Sequence, residues 1–180
     1  SPYILYIGNL YPHKNLGNVV RALKTIDNPP QLAIACGRNI FLDRFTDFLK
    51  EINAEALVKL LGYVPDKDLG ALYNGAQAYI FPSLSEGFGL PGLEAMAYKT
   101  PVLASNIPVF KEIYSDSVLY FDPEDSKDIA DKIRNIISDD ILRRDLVKRG
   151  EKKVKQFSWG KMAQETLEVY NKVLTDSPVI

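Results

Sequence analysis

The sequence contains one cysteine, one histidine and no long apolar run, and each absence excludes a class of protein. A single thiol, Cys36, excludes an intrachain disulfide framework and a zinc site built from several thiolates, and it is typical of a reducing compartment such as the cytoplasm. The lone His13 excludes metal motifs that need paired histidines. No apolar stretch reaches the roughly 18 residues that span a bilayer, and we expect no secretory leader.

A surplus of charge is also lacking, because 22 Lys and Arg face 23 Asp and Glu and leave a net charge of −1. We therefore expect no nucleic acid partner, and contact with an anionic membrane would need a local patch. The basic run from Arg143 to Lys155 is one such patch, although it contains Asp145 and Glu151. A solvated helix face is its simplest interpretation; peripheral membrane contact, or contact with a missing part of the protein, stays open.

The length of 180 residues fits one domain. The chain opens at Ser1 without a methionine and enters an apolar run at Tyr3, as a piece of a longer protein would. We expect residues 1–180 to be one domain of a larger protein.

Short apolar runs bounded by Gly or Pro alternate with segments whose apolar residues recur every three or four positions, which predicts a βα repeat. The runs lack polar alternation, as parallel strands covered on both faces do. The candidate strands are residues 3–8, 31–37, 58–62, 78–82, 101–105 and 118–121. The pattern predicts a Rossmann-like, doubly wound α/β domain of about six parallel strands, closed by C-terminal helices over 140–154 and 158–173.

Three polar residues, Asn15, Asp66 and Ser126, stand where helix N-caps are expected. The run from Asp66 to Asp68 also matches a D-x-D metal–diphosphate pattern. Acidic residues directly after Pro65 are more typical of the first turn of a helix, where the helix dipole favours them. We expect no metal.

One strand-to-helix loop concentrates the residues that carry chemistry, with residues 83–97 reading SLSEGFGLPGLEAMA. Three glycines and a proline ahead of a helix-forming run predict a tight turn that presents main-chain amides at a helix start. Such amides bind phosphate or sugar oxygens. Glu86 on the loop and Glu94 in the helix would address opposite ends of one extended ligand, because carboxylates accept hydrogen bonds from sugar or ribose hydroxyls.

This loop also has simpler interpretations. Two glutamates around a glycine-rich turn can be a capping residue and a surface residue. Residues 87–92 also satisfy G-x-G-x-x-G, the dinucleotide fingerprint. A dinucleotide site needs an acidic residue at the end of the next strand to bind the ribose. The nearest candidate, Glu112, lies beyond that strand, so dinucleotide binding is disfavoured.

The string EGFGLPGLEAMA resembles the donor-binding signature of retaining glycosyltransferases of group 1, also called family 4, which have the GT-B fold. YIGNLYPHKN, LLGYVPDKDL, ALYNGAQAYIFPS, TPVLASNIP and YFDPED extend the resemblance over essentially the whole chain. In that family this region is the C-terminal, nucleotide-sugar-binding half of the enzyme. The resemblance implies that an N-terminal acceptor domain is missing here, that the final helix packs toward it, and that this domain alone transfers little or no sugar.

The resemblance also implies residue roles. Glu86 matches a glutamate that faces the transferred sugar and is important for catalysis, and Glu94 matches one that binds the ribose. Lys14 matches a basic residue that neutralises the donor diphosphate and stabilises the leaving group. The other donor-binding positions are Gly8, Asn9, Tyr63, Val64, Gly87, Phe88, Gly89 and Leu90.

Some of these residues also have simpler interpretations. Tyr63 and Val64, expected along the base, would as bare residues fit packing at a sheet edge, and Lys14 would fit a solvated lysine. Asn9 stands where the family often has arginine, so His13 or Arg38 compensates or the donor is held less tightly.

The resemblance implies a hexosyltransferase of polysaccharide, lipopolysaccharide or glycolipid synthesis that needs no cofactor or metal. Its donor would be a nucleotide-diphospho-sugar, with GDP-mannose favoured by the PHKN loop, and its place the cytoplasm or the cytoplasmic face of a membrane. An epimerase or phosphorylase of the same fold, and a non-catalytic nucleotide-binding module, remain as alternatives. Lys99 replaces the glycine usual after AMA.

Overall fold

The computed structural model describes residues 2–37 and 40–176. Arg38, one candidate for the missing cation, lies outside the described residues. The strands are β1 (Tyr3–Ile7), β2 (Gln31–Ala35), β3 (Val58–Gly62), β4 (Ala78–Phe81), β5 (Val102–Ser105) and β6 (Leu119–Phe121). They form one sheet in the order β3-β2-β1-β4-β5-β6 with every neighbouring pair parallel, which confirms the predicted doubly wound architecture.

Helices connect the strands and close the chain. They are α1 (Leu16–Leu23), α2 (Ile40–Glu51), α3 (Asp66–Gly75), α4 (Leu90–Ala97), α5 (Pro108–Tyr114), α6 (Ser126–Ser138), α7 (Asp140–Val154) and α8 (Trp159–Asp176). The last two agree with the predicted C-terminal helices.

The sheet is buried on both faces. Because side chains alternate along a strand, Ile4 and Tyr6 of β1 join one apolar core and Leu5 joins the other. The first core is closed by α1, α2 and α6, and the second by α3, α4 and α5. Burial on both faces is the reason that the strands read as continuous apolar runs.

Helix α8 is the exception to this packing, because every side chain described on it is exposed. Its large apolar residues are Trp159, Met162, Leu167, Val169, Tyr170, Val173 and Leu174. No helix among the described residues has the length and apolar character that crossing a bilayer requires.

None of the three predicted N-cap hydrogen bonds is present. Asn15 does precede α1, but its backbone is left-handed, with φ of 59°, and its side-chain amide donates instead to the carbonyl of Pro123 at 2.7 Å. Asp66 is the first residue of α3, where it lies in the first turn as expected for the D-x-D run. Ser126 is the first residue of α6, and the cap is its neighbour Asp125.

Tyr114 shapes the glycine-rich loop before α4. It is fully buried, and its hydroxyl donates to the carbonyl of Gly89 at 2.5 Å. Gly89 has φ of 104°, a conformation that favours glycine. A Cβ added at Gly89 or Gly92 would overlap the Tyr114 hydroxyl. The loop therefore needs glycine at both positions to lie against this ring.

We predict that Gly92→Ala lowers the free energy of unfolding by about 1–3 kcal/mol, because the new methyl group overpacks against Tyr114. Gly87→Ala is the matched control, since a Cβ there meets nothing within 4 Å, and its effect should stay within about 0.5 kcal/mol. Urea unfolding followed by circular dichroism measures both. Equal stability of the two variants would contradict this account of the loop.

Candidate functional site

The strand order reverses between β1 and β4, which lie side by side at the centre of the sheet. The loop after β1 contains a short 3-10 turn over Pro12–Lys14, and the loop after β4 contains Glu86. The two loops are joined directly, since the amide of Leu84 donates to the carbonyl of His13 at 2.8 Å. Doubly wound sheets bind their ligands in the crevice at such a reversal.

Lys14 and Glu86 meet in this crevice. The Lys14 ammonium lies 2.5 Å from Oε1 of Glu86, although the two residues are 72 positions apart. Their side chains are only 15% and 14% exposed. Ser83, which is fully buried, donates from Oγ to the same carboxylate oxygen at 2.7 Å. A cation, an anion and a hydroxyl are therefore held together in the crevice.

The Glu86 charge is felt by two buried phenols. Burial, and then the negative charge of Glu86, raise the pKa of Tyr6 and of Tyr114 well above the ordinary value. Both hydroxyls therefore stay protonated and act as donors. Tyr6 donates to the carbonyl of Asn9 at 2.6 Å, and Tyr114 donates to that of Gly89.

The loop before α4 presents main-chain donors, as predicted. Among the described residues, the amides of Gly87, Phe88 and Gly89 have no hydrogen-bond acceptor. The Phe88 ring packs edge-on against Phe157, with ring centres 5.8 Å apart. At this residue, only the main chain has polar groups that a ligand could contact. Free amides at the start of a helix carry positive potential and suit phosphate or sugar oxygens.

Glu94 lies on α4, in its second turn, and is exposed. The Tyr73 hydroxyl donates to its Oε2 at 3.3 Å, and burial together with the Glu94 charge raises the pKa of that phenol. Glu94 lines a mostly apolar groove of about 280 Å³ with Leu90, Phe157 and Trp159.

Gly8, Tyr63 and Val64 line a second cavity, of about 220 Å³, at the carboxyl ends of β1 to β3. Tyr63 is 76% exposed, so packing at a sheet edge does not account for its ring. Cys36 is buried and lines the same cavity, where burial raises the pKa of its thiol.

Known proteins resemble this chain in sequence. The family model for glycosyl transferases group 1 matches residues 1–153. The chain belongs to this family. O-antigen chain mannosyltransferase B of Escherichia coli is 35% identical over 172 residues, which cover 93% of this chain and 45% of the relative. The chain thus spans less than half the length of this curated glycosyltransferase.

Solved structures agree with the fold. Sucrose-phosphate synthase from Thermosynechococcus elongatus superposes with a TM-score of 0.88 at 28% identity, covering 98% of this chain and 46% of the synthase. HepE of Anabaena, solved in complex with UDP and glucose, superposes with a TM-score of 0.84 at 18% identity, covering 95% of this chain and 48% of HepE. These GT-B neighbours confirm the predicted fold class.

Asn9 and Lys99 are two residues at which this chain departs from the group 1 pattern. Asn9 is half-buried, its side chain accepting from the amide of Tyr11 at 3.4 Å, and His13 is exposed on the 3-10 turn. Lys99 adopts φ of 59°, in the left-handed region that favours glycine, and its ammonium lies 3.4 Å from Glu151.

Four residues that support the site were not predicted from the sequence: Tyr6, Tyr73, Ser83 and Tyr114. The tyrosines carried a signal, because a phenol inside an apolar segment needs a hydrogen-bond partner when it is buried. Ser83 carried none, since a serine after a strand is most simply a turn residue.

The basic run from Arg143 to Lys155 contains Lys153, whose ammonium lies 5.7 Å from the centre of the Phe157 ring, and two groups of other residues. Arg143 and Arg149 are paired with Asp140 and Asp145. The other group consists of exposed residues that have no acidic partner among those described: Arg144, Lys148, Lys152 and Lys155. These four are spaced by four, four and three residues, which places them on one side of the helix.

No three His, Cys, Asp or Glu side chains lie together as metal ligands within residues 2–37 and 40–176. Asp66 and Asp68, which resemble a metal motif in sequence, belong to the first turn of α3 instead. That the group 1 domain works without metal stays a prediction.

We predict that Lys14 and Glu86 are energetically coupled by about 1–3 kcal/mol, because removing one partner leaves the other charge mostly buried and unpaired. A double-mutant cycle with Lys14→Met and Glu86→Gln, read by chemical unfolding, measures this coupling.

The control cycle uses Lys50 and Asp47, whose ammonium and carboxylate are 3.2 Å apart but whose side chains are 61% and 77% exposed. Its coupling should be below about 0.5 kcal/mol, since solvent screens exposed pairs. A Lys14–Glu86 coupling no larger than the control would contradict the description of a buried pair.

Proposed function

We propose that this chain is the donor-binding domain of a retaining glycosyltransferase, which transfers a sugar from a nucleotide-diphospho-sugar to an acceptor hydroxyl. The observation that carries the proposal is the meeting of Lys14 and Glu86 at the reversal of strand order, beside the free amides of Gly87 to Gly89. A cation, main-chain donors and a carboxylate in one crevice are complementary to a diphosphate joined to a sugar.

In the proposed reaction, the bond between the sugar anomeric carbon and the diphosphate oxygen breaks, and a bond to the acceptor oxygen forms. The nucleoside diphosphate leaves with both bonding electrons, and it takes up the proton that the acceptor hydroxyl loses. Lys14 and the loop amides stabilise the charge that grows on this leaving group. Glu86 orients the sugar by accepting from its hydroxyls, and Glu94 accepts from the ribose.

We further propose that the acceptor site lies on another part of the protein. The chain covers 45% of the mannosyltransferase relative, which supports a second domain of similar size. The exposed apolar residues of α8 support it too, because seven large apolar side chains on one helix are costly to leave in water. This domain alone should therefore bind a donor and transfer little or no sugar.

The donor we favour is GDP-mannose. A mannosyltransferase relative at 35% identity supports the sugar, and a neighbouring structure solved with UDP and glucose supports a nucleoside diphosphate as the group that is held. The cavity lined by Gly8, Tyr63 and Val64 is the proposed place of the base.

We predict that calorimetric titration of the chain with UDP-, GDP-, ADP- and dTDP-sugars and NAD shows binding of one sugar nucleotide, GDP-mannose, and none of NAD. Glu94→Ala should weaken binding of the nucleoside diphosphate itself by about tenfold or more, because it removes a charged acceptor. Glu86→Ala should instead reduce discrimination among sugars.

Glu112→Ala is the matched control, since Glu112 is exposed on α5 and its side chain makes no hydrogen bond or ion pair with other described residues. Its affinities should equal those of the parent chain. Unchanged affinities in Glu94→Ala and Glu86→Ala would refute the two roles. A simple sugar phosphate as the best ligand would instead favour an epimerase or phosphorylase, and donor binding by a full-length protein that never transfers would favour a non-catalytic module.

We also propose that the enzyme works in the cytoplasm and touches the cytoplasmic face of a membrane through α7. The exposed side of this helix carries Arg144, Lys148 and Lys152, and Lys155 directly follows its last residue. None of the four has an acidic partner among the described residues. Basic residues on one helix side are attracted to anionic lipid headgroups at about 1 kcal/mol each.

We predict that the chain sediments with vesicles containing phosphatidylglycerol but not with phosphatidylcholine vesicles, and that 0.5 M salt releases it. Changing Arg144, Lys148, Lys152 and Lys155 to glutamine should abolish sedimentation. A control variant loses four exposed cations elsewhere, Lys59, Lys67, Lys111 and Lys127, and should still sediment. Equal loss in both variants would show attraction to net charge rather than a surface on α7.

A further inference from the structure

The two oxygens of the Glu86 carboxylate are in different situations. Oε1 accepts from the Lys14 ammonium at 2.5 Å and from the Ser83 hydroxyl at 2.7 Å. Oε2 has no hydrogen-bond donor among the residues that the structure describes. One oxygen is therefore anchored by the protein, and the other is left to accept from a ligand.

A bound donor would compete for one of the two anchors. In the proposed function, Lys14 stabilises the diphosphate. Its ammonium is then attracted to phosphate oxygens, which weakens its ion pair with Glu86. Glu86 then needs another group to keep its carboxylate in place while Oε2 meets the sugar. The Ser83 hydroxyl is the donor that remains, and a neutral hydroxyl is not attracted by the diphosphate as a cation is.

Ser83 is built for this contact. It follows β4 by two residues and is fully buried, and its hydroxyl makes one hydrogen bond within the described chain, to Glu86. Ser105 offers a comparison, because it is also fully buried and ends the neighbouring strand β5, yet its hydroxyl donates to the carbonyl of Phe81 at 3.4 Å. Burial is thus common to both serines, and the carboxylate partner distinguishes Ser83.

We propose that Ser83 is a positioning residue: it holds Oε1 of Glu86 so that Oε2 accepts a hydroxyl of the donor sugar while Lys14 serves the diphosphate. This inference rests on the proposed function and adds to it a residue that acts through Glu86. A general role in packing would instead affect binding of every ligand, or only the stability of the fold.

The test compares the affinity of the chain for GDP-mannose with its affinity for GDP, by calorimetry. If the donor panel selects another sugar nucleotide, that donor and its own nucleoside diphosphate are used. The ratio of the two dissociation constants isolates the sugar. Ser83→Ala should reduce the preference for the sugar nucleotide by about tenfold and leave GDP binding unchanged, since a charge-assisted hydrogen bond is lost at the sugar end only.

Three further variants complete the design. Ser105→Ala, the matched control, should leave the ratio unchanged. The double variant Ser83→Ala/Glu86→Ala should be no worse than Glu86→Ala alone, because the serine acts through the glutamate. Ser83→Thr, which keeps the hydroxyl, should restore most of the preference, and thermal melts of every variant identify those whose fold has been lost.

The outcomes separate the two proposals. If the parent chain binds no sugar nucleotide, the proposed function fails and the role of Ser83 falls with it. If the parent chain prefers the sugar nucleotide and Ser83→Ala keeps that preference, or if the double variant loses more than Glu86→Ala alone, the role of Ser83 is refuted and donor binding stands.

Discussion

The contact between Lys14 and Glu86 is the interaction around which the site is arranged. It exists because β1 and β4 are neighbours at the place where the strand order reverses, so the loops that follow them meet at one edge of the sheet. Two opposite charges, 15% and 14% exposed, are stabilised there by each other. In the donor-binding role that we propose, a diphosphate would take a share of this cation, and the site would be prepared for it.

Buried tyrosines connect the hydrophobic core to this site. Tyr6, Tyr73 and Tyr114 are all nearly fully buried, and their hydroxyls donate to Asn9, Glu94 and Gly89. Each ring packs in the core while its hydroxyl reaches a residue with a proposed ligand contact. A phenol suits this task because it combines a large apolar body with one polar end. Core packing therefore sets the positions of loop atoms that strands and helices alone would leave free.

The segment directly after α4 departs from the family pattern. Lys99 holds a left-handed conformation in place of glycine, at a cost of about 1–2 kcal/mol. The neighbouring Tyr98 stacks on Tyr73, with ring centres 5.4 Å apart, and Tyr73 in turn donates to Glu94. The changed segment after α4 is thus joined to the ring that supports a proposed ribose contact.

Much of the fold could be predicted from the sequence, because continuous apolar runs and three-to-four spacing are local consequences of burial on both faces of a parallel sheet. The glycine-rich turn and the pair Glu86 and Glu94 were equally readable, since their spacing lies within one segment. Cap positions were wrong by one residue at Asp66 and Ser126. At α6 the neighbouring polar residue Asp125 takes the cap, and at α3 the cap position falls on Pro65, which has no side chain that can accept a hydrogen bond.

The sequence by itself thus determined the strand and helix pattern, the family and the glycine-rich segment that contains Glu86 and Glu94. Only the tertiary structure decided that Lys14 and Ser83 share one oxygen of Glu86, and that core tyrosines donate to Asn9 and Gly89 on the loops and to Glu94 on α4. The physical reason is that such contacts join residues distant along the chain, and their geometry depends on how strands are ordered and helices packed, which no local pattern specifies.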